Sequence, residues 1–151
     1  MTRVCLVGSE DVNLRYELLS RETSRDALAT YDLDEPFANA VAVDTVSLGA
    51  AVSLLNDLNW YLVRFAAHAF VREPSIDPDE WLSRDLASAV RDGRLDPDET
   101  DEYVAVFGVE DGRLVEPMYV SRLDGGLPEY DLRDVDETIV VRLTAAEFDA
   151  G

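Results

Sequence analysis

The chain contains no lysine, so all thirteen of its basic residues are arginine. A P-loop lysine and Schiff-base chemistry are thereby excluded, since both need a primary amine. The single cysteine, Cys5, rules out an internal disulfide and a thiolate metal centre, and its expected role is that of a small buried hydrophobe. The single histidine, His68, is all that a catalytic triad could draw on, and nothing in the spacing selects a partner for it. Flanked by alanines, it reads as a core or edge histidine. No run of about 18 apolar residues is present, as a membrane helix would need. The N-terminus MTRVCLVGSED has neither the long apolar centre nor the small-residue cleavage site of a secretory signal, so the expected location is the cytoplasm. Also missing are G-x-x-x-x-G-K-[ST], G-x-G-x-x-G, G-x-S-x-G, H-E-x-x-H and any cysteine pair at zinc spacing. Catalytic residues, a metal and a cofactor are accordingly not expected.

What the sequence has in excess is negative charge. Thirty-two acidic residues against thirteen basic ones give a formal net charge of -19. In dilute buffer such self-repulsion destabilises a compact state, whereas at molar salt the Debye length shrinks to about 3 Å and the repulsion largely vanishes. The composition therefore suits brine. With 47% hydrophobic residues in a chain of 151, there is enough apolar surface to fold as one α+β domain over 1-151.

The acidic excess, the missing lysine and the segments NDLNWYLVRF, AFVREPS, EWLSRDLA and GGLPEYDLRDV together resemble an uncharacterised family of small acidic haloarchaeal proteins, a domain of unknown function. The similarity spans nearly the whole chain. It implies a halophilic habitat and no particular chemistry.

Along the chain, RVCLVG (3 to 8) reads as a central strand buried on both faces. Residues 14 to 31 read as helical, with Leu14, Leu18 and Leu19 on one stripe and a second helix capped at Thr23 or Ser24. AVAVDTV (40 to 46) reads as a strand, and Ser47 caps a helix that ends near Asn59. WYLVRFAAHAFV either prolongs that helix or forms a strand, and the aromatic and β-branched content favours the strand. One face of that strand would be Tyr61, Val63, Phe65, Ala67, Ala69 and Val71. The other mixes Trp60, Arg64, His68, Phe70 and Arg72, and is the first place to look for binding.

DPDE occurs at 77 to 80 and at 96 to 99. Capping explains it better than chelation, with Asp77 starting a helix through Trp81, Leu82, Leu86, Ala89 and Val90 to Gly93, and the second copy starting a short turn. YVAVFGVEDGRLVEPMYV is a hairpin around an Asp111-Gly112 type I′ turn, with Val109 expected opposite Leu114, Phe107 opposite Glu116 and Tyr103 opposite Val120. Pro117 argues for a sheet edge. TIVVRL (138 to 143) supplies a last strand. The fold class expected is α+β, a mixed sheet of five to six strands with two to three helices and the hairpin at 103-122.

The loop after the hairpin, RLDGGLPEYDLRDVD, is the most suggestive polar stretch. Its glycine and leucine positions fail the EF-hand pattern, and a magnesium pair from Glu129, Asp131 or Asp134 is what so acidic a chain offers by chance. Arginine forks holding carboxylates lock such loops in shape. The structural reading is a loop fixed to the edge strand. The functional reading is a polar pocket or partner surface built from Arg64, Glu116, Arg122, Glu129, Tyr130, Asp131, Arg133 and Asp134. Gly8-Ser9 at a strand end fits ordinary turn punctuation better than a phosphate site. Arg15, Arg21 and Arg25, with Trp60 and Phe70 for stacking, raise nucleic acid as a partner, which the net charge disfavours. The function expected is a non-enzymatic cytosolic binding or regulatory module of a halophilic archaeon. Its partner would be a protein or a small polar ligand, with homodimerisation through the edge hairpin and no membrane. The alternative is a small enzyme or nucleotide-handling domain using the carboxylates and arginines around 116-134.

Overall fold

A computed structural model describes residues 1–122 and 137–150. One curled mixed sheet organises them. In chain order the elements are β1 (Thr2–Gly8), α1 (Leu14–Leu19), α2 (Glu22–Leu28), β2 (Ala40–Thr45), α3 (Leu48–Asp57), α4 (Asn59–Phe65), β3 (Ala66–Arg72), β4 (Trp81–Ser83), α5 (Arg84–Arg91), β5 (Tyr103–Glu110), β6 (Arg113–Leu114), β7 (Met118–Ser121), β8 (Glu137–Leu143) and α6 (Ala145–Ala150). A 3-10 turn at Pro97–Glu99 precedes β5, where the second DPDE was expected to start one. The sheet runs β2-β1-β3-β4-β8-β5-β6, and β7 also pairs with β5. Only β4 and β8 run parallel; the other pairings are antiparallel.

Strand alternation divides the core. Val4 and Leu6, Val41 and Val43, Val71 and Leu82 point to one face and pack under α1 to α5 with Leu14, Leu18, Leu55 and Leu86. Cys5 and Val7, Ala40 and Ala42, Phe70, Trp81, Ala105, Phe107, Val141 and Leu143 point to the other and form a single cluster. That cluster draws on strands from both ends of the sheet, which a flat sheet could not bring together. The sheet is therefore curled, with this cluster on its concave face. The Ala38 N–H donates to the Gly112 carbonyl at 2.7 Å, tying the segment before β2 to the β5–β6 turn.

Several expected elements differ, each for a physical reason. Residues 59 to 65 are helix, and only 66 to 72 are strand. Leu58, Tyr61, Leu62 and Phe65 follow helical spacing and pack into the helical-side core, a stripe that outweighs the aromatic and β-branched content. The helix expected from Asp77 is delayed. The Asp77 carboxylate does accept from the Asp79 and Glu80 N–H groups, at 2.8 and 2.7 Å, but the chain then enters β4, where Trp81 and Leu82 go to opposite cores. Ser83 is the true cap, accepting from the Leu86 N–H at 3.1 Å. Thr23 and Ser24 do not cap α2; its first turn follows Arg21, and the buried Ser24 hydroxyl donates to the Leu18 carbonyl.

The hairpin keeps its expected register through Val109–Leu114 and then slips. The Val115 N–H donates to Gly108, but Met118 pairs with Val106 and Val120 with Val104. Glu116 and Pro117 thus stand opposite Phe107 as a bulge, which suits a proline without an N–H. The slip turns Val120 to the far face, where it packs with Val104, Val106 and Val140. Among the described residues the sheet has more strands than the five to six expected, because Trp81–Ser83 form a short strand and the bulge splits the return arm of the hairpin, and six short α-helices stand where two to three were expected, because 59 to 65 is helix and Thr144–Glu147 caps α6.

Candidate functional site

The curl leaves a groove of about 470 Å³ on the concave face. Its floor is His68, Phe70, Ala105 and Phe107, with Val141 and Leu143 beside them; Leu62, Val63 and Ala66 form one wall and Glu147 and Ala150 of α6 another. The lining is mainly apolar, and the volume lies within the few hundred Å³ typical of small-molecule sites.

His68 reaches this floor because β3 alternates, placing residues 68 and 70 on the concave side while Ala69 and Val71 face the helices. Its ring stacks on Phe70 at 5.4 Å and meets Phe107 edge-on at 5.0 Å. Burial lowers its pKa below the ordinary 6.5, so the imidazole is neutral at physiological pH. At the other end, the Ser83 hydroxyl donates to Glu147 at 2.5 Å while capping α5. Glu147 in turn forms a capping box with Thr144, accepting from its N–H at 2.9 Å as the Thr144 hydroxyl accepts from the Glu147 N–H. The groove thus has an aromatic floor and one polar pole.

A second, polar cavity of about 900 Å³ adjoins it, and Ala67 and His68 line both. Ser9, Glu10, Asp11, Asn13, Glu35 and Asn39 contribute oxygens to it. Asn39 shapes this cavity: its carboxamide accepts from the Leu14 N–H and donates to the Ser9 carbonyl. A Cβ at position 8 would run into the Asn39 carboxamide, so a larger residue there would displace that side chain from its hydrogen bonds.

On the helical side of the sheet, Arg142 is a charge on a buried face, 8% exposed, between Leu82 and Val104 in the strand register. Its guanidinium donates to Glu80 at 2.8 Å, to Thr100 at 2.9 Å and to Asp77 at 3.2 Å. Glu80 also receives a bidentate fork from Arg122, at 2.9 and 2.6 Å. Burial pushes the Glu80 carboxyl up, but hydrogen bonds and charge from Arg122 and Arg142 outweigh it and hold its pKa below the usual range. Asp77 is lowered as well, through backbone N–H donors and the same arginines acting against burial. Among the described residues the arms of the network end on protein partners and join the segments around β4, β7 and β8.

Of the expected site residues, Arg122 lies in this network, paired with Glu80. Arg64 sits on α4 over the Trp60 ring at 3.9 Å, and Glu116 is exposed at the bulge. The three share no hydrogen bond or ion pair among the described residues. Glu129, Tyr130, Asp131, Arg133 and Asp134 lie outside those residues. His68 and Phe70 belong to the mixed face marked for binding in the sequence, whereas Ser83, Arg142 and Glu147 were not singled out. The spacing Thr144-Ala-Ala-Glu147 is a readable capping-box signal for α6. Only topology places it beside Ser83.

Among the described residues no helix is long and apolar enough to cross a membrane, and no group of three or more His, Cys, Asp or Glu is arranged to hold a metal. No curated protein and no solved structure matches the chain. A family model does match, over residues 2–109, a span that runs from β1 almost to the β5–β6 turn. The chain belongs to DUF5804, a family of unknown function.

Proposed function

We propose that this protein is a non-enzymatic binding module of a salt-rich cytoplasm, which takes a small, largely apolar ligand on the concave face of its sheet. The observation that carries the reading is the groove lined by His68, Phe70 and Phe107, three aromatic rings in mutual contact, with the imidazole half-buried and the two phenylalanines set in the concave-side core. A neutral imidazole supports this role, since it adds a polar edge without an unpaired charge. The Arg122–Glu80–Arg142 network supports a scaffolding part for the arginines near the hairpin, because their guanidinium groups are already engaged. The net charge of -19 supports the salt-rich setting.

The test uses a neutral environment-sensitive dye, N-phenyl-1-naphthylamine, with the full chain and with Ala67→Trp. Ala67 is exposed at the rim, so an indole there obstructs the groove without entering the core. The expected result is one dye per chain, with affinity falling at least about tenfold in the variant, a change of ~1.4 kcal/mol. Equal binding by the two proteins, or none by either, would overturn the reading.

A further inference from the structure

The two cavities on the concave side meet at Ala67 and His68. One is mainly apolar and floored by aromatic rings; the other is polar and rimmed by carboxylates and carboxamides. From this juxtaposition we infer that they form one elongated site for a small cationic amphiphile, an aryl-alkyl ammonium compound, whose apolar body lies on Phe70 and Phe107 and whose ammonium reaches Glu10 and Asp11. The inference rests on the groove being a ligand site and adds the chemical class and orientation of the ligand.

Charge complementarity selects the cation. The polar arm is lined by three carboxylates, Glu10, Asp11 and Glu35, and by two guanidinium groups. Arg15 is engaged with Glu35 at 2.9 Å, which leaves Glu10 and Asp11 facing the cavity against Arg113 alone. The arm is therefore net negative within a chain of charge -19, and an anionic head group would enter against both local and overall field. Donors are favoured by the same lining, since the carboxylates accept. At the junction, the His68 ring is neutral and presents an aromatic face, past which a methylene chain can run without desolvating a charge. At the far end of the groove Glu147 already receives the Ser83 hydroxyl and the Thr144 N–H, and Asp85 follows Arg84 in the lining. The more polar lining of the other cavity sets the direction, with the ammonium at the β1–α1 turn.

Three probes with one apolar body separate the possibilities: 4-phenylbutylammonium, 4-phenylbutanol and 4-phenylbutyrate. They are titrated into the full chain by calorimetry and by amide NMR, at the lowest salt at which the protein remains folded, because molar salt screens the contrast being measured. The expected order is ammonium tightest, alcohol weaker by about tenfold and carboxylate weakest. The ammonium should move the Ser9 and Glu10 amides as well as those of His68 and Phe107. The double variant Glu10→Gln, Asp11→Asn should erase the ammonium-over-alcohol ratio. Asparagine is chosen at position 11 because Asp11 has φ 66, a conformation asparagine tolerates. Alcohol binding at His68 without an ammonium preference, a preference that survives the double variant, or carboxylate binding tightest would each sink the cationic assignment and leave the groove reading standing. No shift at His68 or Phe107 with any probe would sink both.

Discussion

At the residue scale the instructive groups are those whose protonation is tied to burial. His68 has its pKa lowered by desolvation, so the unfolded chain binds a proton that the folded chain refuses. Its neutral form therefore favours folding at high pH, and stability should decline as pH falls through 6.5 toward the lowered folded value. Glu80 and Asp77 are lowered too, and being acids they stabilise the fold above their ordinary values of 4.5 and 3.8 and lose that contribution as pH falls below them. Denaturant midpoints followed down the acid range should thus fall in two stages, and His68→Phe should remove the first stage only. The same logic applies to Arg142. Glu80→Gln leaves two arginines short of a carboxylate in a poorly hydrated place, and should lower unfolding free energy by about 3 kcal/mol, near the low end for breaking a buried ion pair. Cys5, buried and with its thiol pushed up to about 12, should resist iodoacetamide at neutral pH until the protein is unfolded.

At the scale of elements, short pieces of structure are held by side chains from elsewhere. Ser83 joins three of them: it ends β4, caps α5 and donates to Glu147 at the start of α6. Ser83→Ala should cost about 2 kcal/mol in chemical denaturation, with a cap and the part-buried hydrogen bond to Glu147 lost together, and should loosen α6 as seen by faster amide exchange at residues 145 to 150. The hairpin shows the same dependence on context. Asp111 and Gly112, with φ 53 and 76, fit the expected type I′ turn, yet that turn sets the register only as far as the bulge. Beyond it, burial of Val120 against Val104 and Val106 decides the pairing.

For the whole molecule, the proposed salt-rich setting makes its own prediction. A chain of charge -19 with most ion pairs exposed gains little from those pairs and loses much to mutual repulsion in dilute buffer. The melting temperature should rise steeply as KCl increases from about 0.1 M to 1 M, over which the Debye length shortens from about 10 to 3 Å. A melting temperature indifferent to salt would contradict the proposed habitat. The Arg142 network should respond least, because its groups are the least exposed of the ion pairs.

How much of this was legible depended on whether the signal was local. The first strand, the Ser47 cap, the Asp111–Gly112 turn and the last strand follow from neighbours in sequence, and the structure has them where the pattern put them. The helix over 59 to 65 was also written locally, in Leu58, Tyr61, Leu62 and Phe65, but the same residues carry strand-forming side chains and the pattern alone is ambiguous. Asp77 shows a subtler limit: its capping geometry forms, and tertiary pairing of Trp81 and Leu82 with β8 then overrides the helix that should follow.

Composition and spacing were enough to establish that the chain is acidic, lysine-free and a mixture of helices and strands, because these depend on residue identity and on periods of two or about four. Where those strands stand in one sheet was not written in any segment. That order came from packing between residues far apart in the chain, and it alone put His68 beside Phe107, Ser83 beside Glu147 and Arg142 over Glu80. A groove is a property of curvature, and curvature arises only when the whole sheet closes over its core.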